Sequence, residues 1–151
     1  MRACQEATSL VLAEVGTDGR EYWLVPAAAE AWCKLKAAAL AEGVDVFIIS
    51  AFRSIERQTE IIRRKLEVGE VIENILTVFA PPGFSEHHTG RAVDISTSGS
   101  RMLEVEFDQT PAYAWLIEHA AEFGFSLSYP IGNACGYQYE PWHWCYQDAQ
   151  A

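Results

Sequence analysis

The chain has 151 residues, 50% of them hydrophobic, a length that suits one hydrophobic core rather than two. Its 21 acidic and 11 basic residues give a formal net charge of -10, which opposes binding to nucleic acid, anionic lipid and polyanionic wall polymers. No apolar run approaches the roughly 20 residues that cross a bilayer, so membrane insertion is not expected.

Repeats, low-complexity tracts and Pro/Ser-rich linkers are absent from the sequence, so we expect a single domain over residues 1–151. The N-terminus lacks a basic region followed by an apolar stretch of signal-peptide type. We therefore expect a cytoplasmic protein if the chain is complete, and a cell-envelope protein if an export signal or anchor was removed. The sequence predicts no oligomeric state.

The first predicted elements are a helix and a buried strand. Pro26 opens a stretch in which apolar residues recur at helical spacing, and Gly43 follows as a stop signal. Cys33 lies within this pattern and is expected in the core. The run VDVFIISA, residues 44–51, is rich in β-branched and apolar residues, which is typical of a buried strand.

Helical patterns follow this strand. Ser54 is a candidate N-cap for the segment SIERQTEIIRRKLEVG, in which Gln58 falls on the same inward face as Ile62. A third helical piece is predicted over VIENILTVF, residues 71–79, and the PPG sequence after it ends that piece.

The second half of the chain alternates strands with one helix. RAVDIST, residues 91–97, predicts a strand; Thr110 and Pro111 begin a helix that Gly124 ends; FSLSY and PWHWCY predict the last strands. Because no Gly-rich fingerprint joins a strand to a helix, a doubly wound nucleotide-binding sheet is disfavoured. We predict an α+β domain with a mostly antiparallel sheet flanked by helices.

The segment SEHHTGRAVD, residues 85–94, brings a histidine and a carboxylate into reach of each other. Asp94 would share a strand face with Ala92, across the pleat from apolar neighbours, where a lone carboxylate is costly unless it is paired or ligating. Gly90 and Ala92 are small enough to let the loop fold back and bring His87 beside Asp94, and this pair suits zinc. The alternative is a solvated His87 and an Asp94 that caps a turn.

The segment YEPWHWC, residues 139–145, repeats the mixture of histidine and carboxylate. Strand alternation places His143 on the face opposite two tryptophans, and Pro141 predicts an irregular entry that could turn Glu140 toward His143. His87, Asp94 and His143 would then supply three zinc ligands, and Glu140 would accept a proton from zinc-bound water. No compact H-E-x-x-H motif supports this interpretation.

Other polar residues near these motifs have simpler interpretations. His88 is expected to point away from the ligands if the loop is extended, and His119 to be a hydrogen-bonded core or boundary histidine. Glu86 is expected to be a solvated loop charge, although a supporting role behind the ligands stays open. Cys135 and Cys145 would pair only in an oxidising compartment, and free buried thiols are the other possibility.

The chain resembles a known family through three motifs. The pattern S-x-H-x-x-G-x-A-x-D is matched from Ser85 to Asp94, E-x-W-H is matched from Glu140 to His143, and S-x-x-R-x-x-x-x-Q is matched from Ser50 through Arg53 to Gln58. These motifs resemble those of VanY-type D-alanyl-D-alanine carboxypeptidases, zinc peptidases related to VanX, to lysostaphin-type enzymes and to the hedgehog zinc fold. The resemblance begins near residue 22, and residues 1–20 contain no motif that we can assign.

The resemblance implies one zinc ion per chain, on the sheet, and a role for each motif residue. It implies His87, Asp94 and His143 as ligands and Glu140 as the general base. It further implies Arg53 as the group that stabilises charge on the scissile carbonyl, with Ser85, Gln58 and Ser50 binding the peptide.

The implied substrates are peptidoglycan stem peptides or muropeptides, from which a terminal D-alanine is removed in a D,D or an L,D reaction. A peptidoglycan endopeptidase and a non-catalytic, zinc-stabilised peptide-binding module stay as alternatives. Cys145 stands where many relatives have an arginine, so Arg91 or Arg53 would have to compensate, or the substrate preference would differ.

Overall fold

The protein is described by a computed structural model that covers residues 2–133 and 137–148. Helices and strands follow one another in this order: β1 (Val11–Val15), β2 (Glu21–Leu24), α1 (Pro26–Ala41), β3 (Phe47–Ser50), α2 (Ile55–Glu67), α3 (Ile72–Ile75), β4 (Ala92–Ser96), α4 (Pro111–His119), β5 (Phe125–Leu127) and β6 (His143–Tyr146). Short 3-10 helices cover Glu86–Thr89, Val105–Gln109 and Ala120–Phe123. None of the helices within the described ranges has the length and apolarity that a membrane crossing requires.

A four-stranded sheet forms the centre of the fold, in the order β3-β4-β6-β5, and all its neighbouring strands are antiparallel. The strands β1 and β2 form a separate antiparallel hairpin. The predicted α+β class with a mostly antiparallel sheet is therefore confirmed. In the central register Asp94 of β4 lies opposite both Ser50 of β3 and His143 of β6, so three motifs meet on adjacent strands.

Helix α1 supplies much of the core. Pro26 occupies its first turn, as predicted, and Trp32 and Leu35 are fully buried, with the Trp32 ring edge-on to Phe125 at 6.3 Å. Cys33 is exposed, so the prediction that it lies in the core was wrong. One residue along a helix turns the side chain by about 100°, which carries Cys33 off the face that buries Trp32.

Helix α2 is well capped and contributes a buried polar residue. The Ser54 hydroxyl accepts a hydrogen bond from the Arg57 N–H, which confirms the predicted N-cap, and Gln58 and Ile62 are buried. The third helical piece is shorter than predicted, since α3 spans only Ile72–Ile75.

The N-terminal segment runs beside the loop that carries the first motif. The Cys4 N–H donates to the Gly83 carbonyl, and the Ala7 N–H donates to the His88 carbonyl, both at 2.8 Å. Gly90 closes the same loop with a φ of +70°, and a Cβ there would lie 3.0 to 3.1 Å from side chains of the N-terminal segment and Val25. A residue with a side chain at position 90 would therefore be both strained and crowded.

Candidate metal centre

His87 is held in place by the 3-10 helix Glu86–Thr89. The Ser85 hydroxyl accepts a hydrogen bond from the His87 N–H at 3.1 Å and caps the start of this helix. The His87 ring is buried, and its Nδ1 lies 2.8 Å from the Ala51 carbonyl, to which it donates a hydrogen bond. Its Nε2 faces Asp94, with 3.3 Å between Nε2 and Oδ2.

His143 approaches the same carboxylate from strand β6. Its Nδ1 lies 2.9 Å from Asp94 Oδ1, and its ring is edge-on to the His87 ring at 5.0 Å. All three residues are buried, and one ligand atom from each lies within 4.8 Å of the others. Two imidazole nitrogens and one carboxylate oxygen are a donor set that suits zinc, and catalytic zinc sites use three protein ligands.

Strong electrostatic coupling links these side chains. Burial alone would raise the pKa of Asp94, but the charge of His87 and hydrogen bonds from His143 and His87 hold that pKa well below its usual range. Burial alone would lower the pKa of His143, but hydrogen bonds to Asp94 and Glu86 raise it to about 10. Without a metal, a proton on His143 takes the place of a cation between the two carboxylates.

Glu140 lies beside the cluster as a buried carboxyl group. Its N–H donates to the Tyr129 carbonyl at 3.0 Å, and its own carbonyl accepts from the His143 N–H at 3.2 Å, which forms the irregular turn predicted from Pro141. Its Oε1 lies 3.9 Å from His143 Nδ1. Burial raises the pKa of Glu140 to about 7, against the opposing effect of His143.

Arg53 is fixed by two of the other predicted site residues. Its guanidinium donates to Gln58 Oε1 at 3.0 Å and to the Ser50 hydroxyl at 3.1 Å. Gln58, which is 1% exposed, also donates to the Ala80 carbonyl at 2.8 Å. Gln58 and Ser50 thus hold the arginine, and Ser85 caps the His87 turn.

All eight predicted site residues line one cleft of about 670 Å³. Aromatic and basic side chains form much of its remaining wall, among them Arg57, Lys65, Tyr129, Tyr137, Tyr139 and Trp142. The Tyr129 ring packs against the His143 ring at 4.8 Å between centroids. A cleft with a metal-ligand cluster, a buried carboxyl group and a fixed guanidinium can bind a peptide and position its carbonyl group.

Glu86, which the sequence predicted to be a solvated loop charge, contacts a residue of the metal-ligand cluster instead. Its Oε1 lies 2.9 Å from His143 Nε2 and accepts a hydrogen bond from the Ser128 hydroxyl at 2.6 Å, so it is not a solvated loop charge. The error came from expecting an extended loop where the chain forms a 3-10 helix. The sequence position between Ser85 and His87 was the only signal for a supporting role.

His88 and His119 lie outside the metal-ligand cluster. His88 is fully buried, with Nδ1 at 2.7 Å from the Arg53 carbonyl and Nε2 accepting from the Gly83 N–H, so it fixes the loop. His119 lies at the boundary of the core with Nδ1 2.7 Å from Glu122 Oε2, as expected.

Cys145 was the subject of two predictions, compensation by a nearby arginine and pairing with Cys135. Arg91 does not line the cleft, and its guanidinium lies near Asp148 and over the Tyr146 ring. Arg53 does line the cleft, and whether it compensates for Cys145 or the substrate preference differs stays a prediction. Cys135 lies outside the described residues, so its pairing with Cys145 stays a prediction.

Comparison with known proteins agrees with this geometry. The family model described as "VanY: D-alanyl-D-alanine carboxypeptidase" matches residues 21–149. A D-alanyl-D-alanine carboxypeptidase of Enterococcus faecalis is 34% identical over 124 residues, which are 76% of this chain and 44% of that relative. The chain spans less than half the length of three curated relatives that it matches.

Solved structures share the fold. The LdcB LD-carboxypeptidase superposes with a TM-score of 0.83 at 32% identity, over 93% of this chain and 69% of that one. A mutant of the vancomycin resistance D,D-pentapeptidase VanY in complex with Zn(II) superposes with a TM-score of 0.70 at 31% identity, over 94% and 80%. The matched family model covers most of the chain, including every motif that builds the cleft, and the chain belongs to the VanY family of D-alanyl-D-alanine carboxypeptidases.

Proposed function

We propose that this protein is a zinc-dependent carboxypeptidase that removes a terminal D-alanine from peptidoglycan stem peptides or muropeptides. The observation that carries the proposal is the convergence of His87, Asp94 and His143 in the lining of a cleft of about 670 Å³, with Glu140 beside them. Family membership supports the substrate class, since a relative in this family is a D-alanyl-D-alanine carboxypeptidase.

In this proposal His87, Asp94 and His143 hold one zinc ion per chain, and residues 1–151 act as a single peptidase domain. Both histidines turn a ring nitrogen toward Asp94, and one ligand atom from each of the three residues lies within 4.8 Å of the others. A bound zinc ion supplies Lewis acidity, which polarises a carbonyl group and makes a water molecule more acidic.

Glu140 acts as the general base and then as the general acid. Burial raises the pKa of Glu140 to about 7 in the zinc-free protein. A buried carboxylate beside the ligands can accept a proton from water and release it again in the same turnover. Glu140 takes the proton as the water oxygen bonds to the scissile carbonyl carbon. It then donates that proton to the leaving nitrogen of D-alanine as the C–N bond breaks.

Arg53 stabilises the negative charge that develops on the carbonyl oxygen. Its guanidinium has five N–H donors, and the bonds to Gln58 and Ser50 use only part of this set. Because those bonds fix the guanidinium before substrate binds, little reorganisation is needed in the transition state. The family resemblance implies that Ser85, Gln58 and Ser50 bind the peptide, but their hydrogen bonds favour a supporting role for all three.

The test is D-alanine release, measured by mass spectrometry, from pentapeptide and tetrapeptide stem peptides. Glu140→Ala should lose activity by at least about 100-fold, because general base catalysis contributes about 10²- to 10⁴-fold. Glu67→Ala, at an exposed position at the end of α2, is the matched control and should retain activity.

Release from the pentapeptide establishes a D,D-carboxypeptidase, and release from the tetrapeptide alone establishes an L,D-carboxypeptidase. Cleavage inside the stem without release of D-alanine would replace the proposal with an endopeptidase. Zinc binding without any cleavage would indicate a peptide-binding module.

A further inference from the structure

The two histidines of the cluster are each held through the nitrogen that faces away from Asp94. For His87 this outer nitrogen is Nδ1, which donates to the neutral Ala51 carbonyl. For His143 it is Nε2, which lies 2.9 Å from the carboxylate oxygen of Glu86. The two ligands therefore differ in the charge of the group behind them.

Glu86 is itself fixed. Its Oε1 also accepts a hydrogen bond from the Ser128 hydroxyl at 2.6 Å, and its backbone lies in the first turn of the 3-10 helix that carries His87. Although it is close to the metal ligands, Glu86 is absent from the lining of the cleft and from the cluster of ligand atoms. Its contact with the cluster is therefore through His143 Nε2, on the side of the ring that faces away from Asp94.

From these contacts we propose that Glu86 is a positioning residue for the metal site: it accepts the Nε2–H of His143 and so presents the Nδ1 lone pair to the metal. The inference rests on the proposed function, because it assumes that the cluster binds zinc. A histidine ligand whose second nitrogen donates to a carboxylate has a fixed tautomer and ring orientation and is a more basic ligand. Since Glu86 and His87 are adjacent in one helix, this contact also links the two histidine ligands mechanically.

The experiment compares zinc affinity in Glu86→Ala, Glu86→Gln and the wild-type protein, by competition with a chelator of known affinity. Loss of such a partner typically weakens metal affinity about 10- to 100-fold, which is the expectation for Glu86→Ala. Glu86→Gln retains an acceptor oxygen without the charge and should fall between the other two. Glu106→Ala is the matched control, because Glu106 is also in the first turn of a 3-10 helix but is exposed.

The second readout is the tautomer of His143 in the zinc-loaded protein, from ¹H–¹⁵N correlations of the imidazole nitrogens. A protonated Nε2 with a slowly exchanging hydrogen is expected in the wild type and in Glu86→Gln, and faster exchange in Glu86→Ala. This signature separates a positioning role from a merely structural one, which would change the unfolding temperature but not the exchange of this hydrogen.

The outcomes also separate this inference from the proposed function. Wild-type zinc affinity and an unchanged His143 spectrum in Glu86→Ala would overturn the role of Glu86, while zinc-dependent release of D-alanine by the same sample would leave the proposed function intact. A zinc-bound Nε2 on His143 would also overturn it. Failure of the wild-type protein to bind zinc would overturn both.

Discussion

Gln58 offers a test of whether Arg53 is held ready for catalysis. The Gln58→Ala change removes one hydrogen bond to the charged guanidinium and one to the Ala80 carbonyl at a site that is 1% exposed. A hydrogen bond to a charged group contributes about 1.5 to 3 kcal/mol and a neutral one about 1 kcal/mol. We expect the free energy of unfolding to fall by about 3 kcal/mol.

The same change should reduce the turnover number more than it raises KM. Removing a whole oxyanion donor costs about 100- to 1,000-fold in kcat. Because the Ser50 contact still restrains Arg53, Gln58→Ala should cost about 10-fold, equivalent to about 1.4 kcal/mol in the activation free energy.

The measurements are urea unfolding of the zinc-loaded protein and initial rates of D-alanine release over a range of substrate concentrations. Gln138→Ala is the control for stability, since Gln138 is exposed and its hydrogen bond to Thr77 is 3.5 Å long. Gln58→Ala with the expected loss of stability but unchanged kcat would show that Gln58 does not position Arg53 for the reaction. An unchanged free energy of unfolding would refute the hydrogen-bond reasoning itself.

Two further predictions concern the core and the metal site. Glu14→Ala should lower the free energy of unfolding by about 3 kcal/mol in a denaturant titration, because it leaves the Trp32 indole N–H and the Ile48 N–H without their acceptor. Glu30→Ala, at an exposed position, is the control and should change the free energy of unfolding little. Equal effects of the two substitutions would refute the hydrogen-bond reasoning. In the zinc-free protein the pKa of His143 is raised to about 10, so its contribution to stability is present below the ordinary pKa of 6.5 and is lost as pH rises through 10. Zinc binding must displace the proton from His143. Calorimetry of zinc binding at pH 7, in buffers of different ionisation enthalpy, should therefore detect release of about one proton. Absence of proton release would show that His143 is already neutral in the zinc-free protein.

The sequence predicted which residues meet in the site better than it predicted the contacts that hold them there. Alternation along two strands was enough to place Asp94 and His143 on defined faces, and the family motifs joined them to His87. The pairing of Asp94 with His143 depends on register between distant segments, which local patterns do not encode. The family resemblance implied that Gln58 and Ser50 bind the substrate, but only the structure showed that both hold Arg53.

Local geometry accounts for the errors and omissions. Glu86 was misplaced because one 3-10 turn redirects a side chain that an extended loop would leave in solvent. The hairpin β1–β2 was not predicted, although it delivers Glu14 to the Trp32 indole. The prediction that Cys33 is buried was wrong because a helix with many alanines shows little difference in hydrophobicity between its buried and exposed faces.

The register of Asp94 with His143 has a consequence for the order in which the protein matures. The two residues are 49 positions apart, and they meet only when β6 has paired with β4. A nascent or truncated chain that lacks β6 therefore has two of the three ligands and no closed centre, whatever the local structure of the first motif. Zinc would bind after the sheet is complete, and the bound ion would then stabilise the pairing of the two central strands, β4 and β6.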